Sequence, residues 1–199
     1  METVVFLIHG WSGNPEKSLV HLQETLEMIP GIRVLRPIHG LKGPFSRVRA
    51  RKNISYHADV VEQTLKEIPE DAPIIAVGHS MGALILRLLY NRGHRFEEMI
   101  FAGGPHKGVS PKVAKLEPLA RILGVTPLLE MLPGSSFLEE LGSPPPGIYI
   151  GGKKDKLVPL HSSIPTNKGI VLDCGHDMFP EGEQGFATKV VVEKVLEKL

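Results

Sequence analysis

One cysteine, Cys174, stands in a chain of 199 residues. No internal disulfide can form, and zinc sites built from several cysteines are excluded. Charge of one sign is also lacking. The formal net charge is +1, so no global field draws the chain to nucleic acid or to an anionic membrane. Long apolar runs are missing as well. The opening METVVFLIHG has no basic leader and no cleavage site, and its run VVFLI is far too short to cross a bilayer. No H-E-x-x-H, no paired carboxylate spacing and no G-x-x-x-x-G-K-[ST] occurs, which disfavours a metal enzyme and a P-loop kinase. The composition that remains, 42% hydrophobic and 23% charged, is ordinary for a globular protein and suits a single domain over 1–199. A reducing, cytoplasmic setting is the default expectation. A secreted protein whose leader has been removed is the alternative.

What is present is an alternation of short apolar runs with amphipathic stretches. Strands are expected at Thr3–Ile8, Arg33–Arg36, Pro73–Val77, Glu98–Ala102, Gly147–Gly151 and Gly169–Asp173. Most are apolar without period-two alternation, as in strands covered on both faces. Helices are expected at Pro15–Ile29 behind an Asn14-Pro15 cap, at Tyr56–Ile68 behind Ser55, at Met81–Asn91 and at Gln184–Leu199. This order implies βαβ units and a mainly parallel sheet. The stretch 105–146 breaks it with short helical pieces rich in leucine. Such an excursion either extends the core or forms a cap over a site at the sheet edge.

The stretch GHSMG, 78–82, lies between an apolar strand and an apolar helix. A G-x-S-x-G turn is tight enough to strain the serine and to need small flanking residues, and it lifts the hydroxyl to the C-terminal end of the sheet. Ser80 is therefore read as a nucleophile, against the plainer reading of a turn serine. A serine needs a base and an orienting acid. The expected order is Ser, acid, His. Asp155 follows the strand in GIYIGGKKDKLVP, and His176 follows the strand in GIVLDCGHDMF. Asp155 could instead be a solvated turn residue among lysines. Asp173 is the main alternative acid, and Asp177 reads as a cap or surface group. Of the nine histidines only His176 has this order and place. His9 is expected to brace its loop, not to transfer protons. Backbone N–H groups must meet the developing oxyanion. Met81, directly after Ser80, supplies one, and Trp11, in the turn after LIHG, is assigned the other. The Trp11 indole could also wall a substrate pocket, with Met131, Leu132 and Phe137 as further lining from the excursion, although helix packing is as good a role for each.

With HGWSG at 9–13, GHSMG at 78–82, GGPHKGV at 103–109, FLEEL at 137–141, GGKKDKLVP at 151–159 and GH at 175–176, the sequence resembles the α/β-hydrolases, in style the small bacterial lipases and esterases. The resemblance implies an α/β-hydrolase fold with a minimal, mostly parallel sheet of about six strands flanked by helices, and 105–146 as a short helical cap. It implies hydrolysis of a small carboxylic ester through an acyl-enzyme, with no cofactor. A thioesterase or amidase could use the same triad, and a hydrolase-shaped binding protein is the non-enzymatic alternative. One basic stretch, LKGPFSRVRARKN at 41–53, reads as a solvated loop or as a weak contact for anionic lipid head groups. The sequence leaves the oligomeric state open.

Overall fold

The computed structural model describes residues 2–11, 18–39, 51–180 and 186–199. Six strands form one sheet: β1 (Thr3–Ile8), β2 (Ile32–Leu35), β3 (Ile74–His79), β4 (Glu98–Ala102), β5 (Ile148–Gly152) and β6 (Ile170–Leu172), in the order β2-β1-β3-β4-β5-β6. Every described strand pair is parallel, and the register places Val4 beside Ile74 and Ile75 beside Glu98. The all-apolar strands divide their side chains between two cores. Val4, Phe6 and Ile8 face one, and Val5 and Leu7 face the other. That is why no alternation shows in the sequence.

Two helices, α1 (Val20–Glu27) and α2 (Ile54–Leu65), follow β1 and β2 respectively, and α3 (Met81–Asn91) follows β3. Leu22 and Leu26 of α1 cover one face of the sheet together with Ala187, Val191 and Val195 of the last helix, Phe186–Leu196. On the opposite face, α2 contributes Ile54, Ala58 and Val61, and α3 contributes Leu84, Ile85 and Leu89. The cap of α2 is Asn53, whose side chain accepts the Tyr56 N–H, and not Ser55, which lies inside the first turn. Asn14 and Pro15 lie outside the described residues, as do 41–50 of the basic stretch. No helix among the described residues is long and apolar enough to cross a membrane.

The excursion contains four short helices: α4 (Pro111–Ala114), α5 (Glu117–Leu123), α6 (Thr126–Glu130) and α7 (Ser136–Glu140). Two further helices complete the chain, α8 (Leu160–Ser163) and α9 (Phe186–Leu196). The leucines of the excursion have two fates. Leu132, Leu138 and Leu141 join the core beneath α2 and α3, and Leu128 is buried as well. Leu116, Leu119, Ile122 and Leu123, on and beside α5, stay exposed. Arg87 of α3 ties this region down from below. Its guanidinium is buried, donates to the Gly142 carbonyl at 2.8 Å and faces His106 Nδ1 at 3.3 Å.

The strand order fixes where loops can meet. The chain runs from β1 outward to β2, then returns to the other side of β1 as β3, so β1 and β3 flank the switch point of the sheet. The backbones there are in close contact. A Cβ on Gly82 would overlap the Ile8 carbonyl oxygen, and one on Gly78 would lie 2.6 Å from the Gly82 carbonyl oxygen. Gly82→Ala is thus expected to cost about 3 kcal/mol or more. Gly175→Ala, where the nearest atom to a new Cβ is 4.0 Å away, should stay within about 1 kcal/mol. Urea unfolding of the two variants checks this, and equal stability would contradict the packing described.

Candidate active site

Ser80 stands between β3 and α3 with φ 54° and ψ −123°. Among the described residues only Leu19 and Ser80 are non-glycine residues with positive φ. Such a conformation costs about 1–3 kcal/mol and persists only where its surroundings enforce it. Here the Ser80 N–H is held by the Ala102 carbonyl of the neighbouring β4 at 2.8 Å, and the Ser80 carbonyl accepts the Ala83 N–H. The turn is so sharp that the hydroxyl projects beyond the sheet. It meets His176, which follows β6.

The Ser80 hydroxyl lies 2.9 Å from His176 Nε2, and His176 Nδ1 lies 2.7 Å from Asp155 Oδ2. A carboxylate can only accept, so Nδ1 carries the proton and Nε2 is free to accept from the hydroxyl. The other Asp155 oxygen accepts the N–H groups of Leu157 and Val158 at 2.8 and 2.9 Å. Burial alone would raise the Asp155 carboxyl, but the bonds from His176, Val158 and Leu157 outweigh it and hold it below its ordinary value. Asp173, the rival acid, pairs with Lys154 at an exposed position instead.

The loop after β1 closes the site from the other side. A Cβ on Gly10 would lie 2.8 Å from Ser80 Cβ and 3.4 Å from its Oγ. Only glycine lets that loop lie against the Ser80 turn, and Trp11 follows it, half exposed. Met81 opens α3, where backbone N–H groups point out of the helix end. Sequence and structure differ on the expected lining. Met131, Leu132 and Phe137 are buried in the core shared with α2 and α3, because α6 and α7 pack down onto the sheet-facing helices. Leu132 and Phe137 also border a cavity of about 430 Å³ with Glu117, Arg121 and Ser136, to which Ser80, Asp155 and His176 do not contribute. Their burial fits the packing role that the sequence also allowed.

His79 was not singled out from the sequence, although it is the variable residue within GHSMG. Its Nε2–H donates to the His176 carbonyl at 2.9 Å, and its ring meets Phe179 edge-on. It thereby joins the turn that carries Ser80 to the loop that carries His176. Ser162 was missed too. Its hydroxyl donates to the Gly108 carbonyl and accepts the Lys107 N–H, fixing the start of the excursion beside α8. Ser110 then donates to the Lys156 carbonyl next to Asp155. No group of three or more His, Cys, Asp or Glu side chains among the described residues is arranged to hold a metal ion.

Comparison with known proteins finds no matching family model and no matching curated protein. Solved structures do match, over nearly the whole chain. One comes from work on LipS and LipT, two metagenome-derived lipolytic enzymes, with 15% identity over 98% of this chain and 94% of that one and a TM-score of 0.70. The chain has the α/β-hydrolase fold. The same fold is seen at 18% identity in the Paleococcus ferrophilus monoacylglycerol lipase, over 99% and 96% of the two chains, with a TM-score of 0.65. A thioesterase domain from the curacin biosynthetic pathway matches at 17% identity over 98% and 91%, with a TM-score of 0.64. In this hydrolase fold Ser80, Asp155 and His176 occupy the C-terminal ends of β3, β5 and β6, where the resemblance in sequence leads one to look for them.

The buried imidazoles around the site make the fold sensitive to acid. Burial lowers His79 to about 4, helped by the nearby His176, and burial with Arg87 lowers His106 to about 3. His9 is lowered to about 4, again chiefly by burial. Each has a folded pKa below its unfolded value. Stability is then complete above about 6.5 and drains as the pH falls towards 4, because the unfolded chain takes up protons first. A histidine moved from 6.5 to about 4 contributes roughly 3 kcal/mol. The melting temperature should therefore fall by about 10 °C or more between pH 7 and pH 5, measured by circular dichroism. A flat profile over that range would show that these histidines are not held neutral.

Proposed function

We propose that this chain is a serine hydrolase that cleaves small carboxylic esters through an acyl-enzyme. The observation that supports this most is the unbroken hydrogen-bonded line from Asp155 through His176 to Ser80, ending on a serine held at a positive φ. A structural serine has no use for a base at 2.9 Å or for a strained backbone.

The chemistry follows from the proton positions. As Ser80 Oγ bonds to the ester carbonyl carbon, its proton passes to His176 Nε2. The carbonyl oxygen becomes an anion, received by the N–H groups of Met81 and Trp11. The carbon–oxygen bond to the alcohol breaks, and His176 returns the proton to the departing alkoxide. Water then attacks the acyl-enzyme with His176 again as the base, and Ser80 leaves with the proton. Asp155 keeps Nδ1 protonated throughout and stabilises the transient imidazolium. The half-exposed Trp11 and Leu157, on the loops that meet at Ser80 and Asp155, offer apolar surface to the substrate.

The same machinery serves a thioester, and the similarity to a thioesterase domain supports that as the second reading. A panel of p-nitrophenyl esters of increasing acyl length, beside acyl-coenzyme A and an acyl anilide, separates the two. Esters are expected to be the best substrates. Ser80→Ala should lower turnover by about 10³-fold or more and abolish labelling by a fluorophosphonate. Asp155→Asn should lose about 10³-fold or more through the wrong imidazole tautomer. Hydrolysis by Ser80→Ala at the wild-type rate would end this reading.

A further inference from the structure

Three histidines lie behind the loop that follows β1, and the reaction as described does not use them. His9 opens the loop after β1, His39 follows β2, and His57 lies on α2. All three are buried, with at most 2% of their surface exposed. The rings of His9 and His39 stack at 3.9 Å, and His57 meets His39 edge-on at 5.3 Å.

Their protons can be assigned from partners that can only donate or only accept. The His39 backbone N–H points at His9 Nε2 at 3.3 Å, so Nε2 is bare and the His9 proton is on Nδ1. That proton is donated to the Gly10 carbonyl at 2.7 Å. His39 Nε2 lies 2.9 Å from the His9 carbonyl, so it is protonated and donates there. His39 Nδ1 is then bare. His57 Nδ1 lies 2.6 Å from the His39 carbonyl and 3.4 Å from His39 Nδ1, so it carries a proton shared between the two. Backbone groups of neighbouring members of the cluster set each tautomer.

The end of this chain of bonds is a single peptide plane. The Gly10 carbonyl and the Trp11 N–H belong to one planar trans peptide and point in opposite directions. Fixing the carbonyl against His9 fixes where the N–H points. Gly10 itself lies against Ser80.

We propose that His39, backed by His57, is a positioning residue for the oxyanion loop: its Nε2–H holds the His9 carbonyl and its ring stacks on the His9 imidazole, and the His9 ring so placed holds the Gly10–Trp11 peptide, so that the Trp11 N–H is aimed at the carbonyl oxygen of a substrate on Ser80. This rests on the serine-hydrolase reading for its catalytic meaning, but the orientation of the loop does not. The three rings must all be neutral for the bonds to hold. Burial, with Arg36 and His57 as further contributors, outweighs the Gly10 carbonyl and keeps His9 uncharged down to about 4, while burial together with His9 and His57 holds His39 well below its ordinary value. The charged side chain acting on His9 from just beyond β2 is Arg36, a cation, while Tyr56 lies edge-on against His57 with Lys52 above its ring. None of these favours a second proton on the rings.

The only tryptophan of the chain sits at the end of this device, so its emission reports on the loop without turnover. His39→Leu removes the donor to the His9 carbonyl and the stacked ring, leaving the backbone bond to His9 Nε2 in place. His39→Gln restores a donor at the position of Nε2, and His39→Asn reaches only as far as Nδ1. The expected outcome is a fall in kcat of about 10-fold or more for Leu and Asn with KM within about 2-fold, because the loss is felt in the transition state. Gln should recover kcat to within about 3-fold. Trp11 emission should shift in Leu and Asn and stay close to wild type in Gln. If Leu does not fold, the contrast between Asn and Gln decides. Equal impairment of Asn and Gln would reduce His39 to a packing residue, and unchanged emission and kcat in all variants would overturn the proposal. A wild type that hydrolyses no ester while emission still follows the donor would sink the ester reading and leave the loop-positioning role standing.

Discussion

The close approach of backbones at the ends of β1 and β3 is the constraint on which the rest of this molecule depends. Gly82 lies against the Ile8 carbonyl, Gly78 against the first turn of α3, and Gly10 against Ser80. Three glycines meet because the strand order reverses there and two loops must share one crevice. With side chains at these positions the loops would be pushed apart. Ser80 would relax from its positive φ, and the hydroxyl would no longer lie within hydrogen-bonding distance of His176. The strained serine, the hydrogen-bonded line from Ser80 through His176 to Asp155 and the nearby peptide N–H groups are consequences of that one packing arrangement.

Polar groups around the crevice are satisfied mainly by backbone. His79 donates to the His176 carbonyl, Asp155 accepts two N–H groups, and His9 and His39 bond to carbonyls of the β1 loop. Backbone partners are held by the sheet and cannot swing away, so they impose both ring orientation and tautomer. Neutral imidazole is well suited to this. It offers one donor and one acceptor in fixed directions and carries no charge whose burial would be costly. The apolar surroundings that keep these rings neutral also strengthen every bond they make.

Much of this was legible in the sequence because the relevant signals are local. Val4 to Ile8 reads as a buried strand from five apolar residues in a row, and β1, β4 and α3 have the limits that the pattern predicts. Ser80 was visible from its glycines, and Asp155 and His176 from their places after late strands. What escaped was set by partners distant along the chain. Nothing near Met131 or Phe137 says whether a leucine-rich helix turns towards the core or the solvent, and α5 and α6, similar in composition, take opposite fates. Ser55 and Asn53 are both good caps, and only the helix's true start chooses between them. The histidines are the clearest case. His39 and His57 are separated from His9 by 30 and 48 residues, and no spacing rule relates them.

The histidine cluster also shows how the excursion is joined to the crevice. His57 lies one turn into α2, and the first N–H of that helix, at Ile54, is held by the Glu130 carboxylate of α6 at 2.6 Å. Burial raises the Glu130 carboxyl even though the Ile54 N–H favours its charged form, so the carboxylate sits where water does not fully compensate it. An acid at that position also meets the positive end of the α2 dipole. The seating of α6 thus fixes the start of α2, α2 fixes His57, and His57 fixes the ring that faces the β1 loop. The helices of the excursion that pack into the core help to place the loop beside Ser80, while α5 alone presents an apolar surface to solvent.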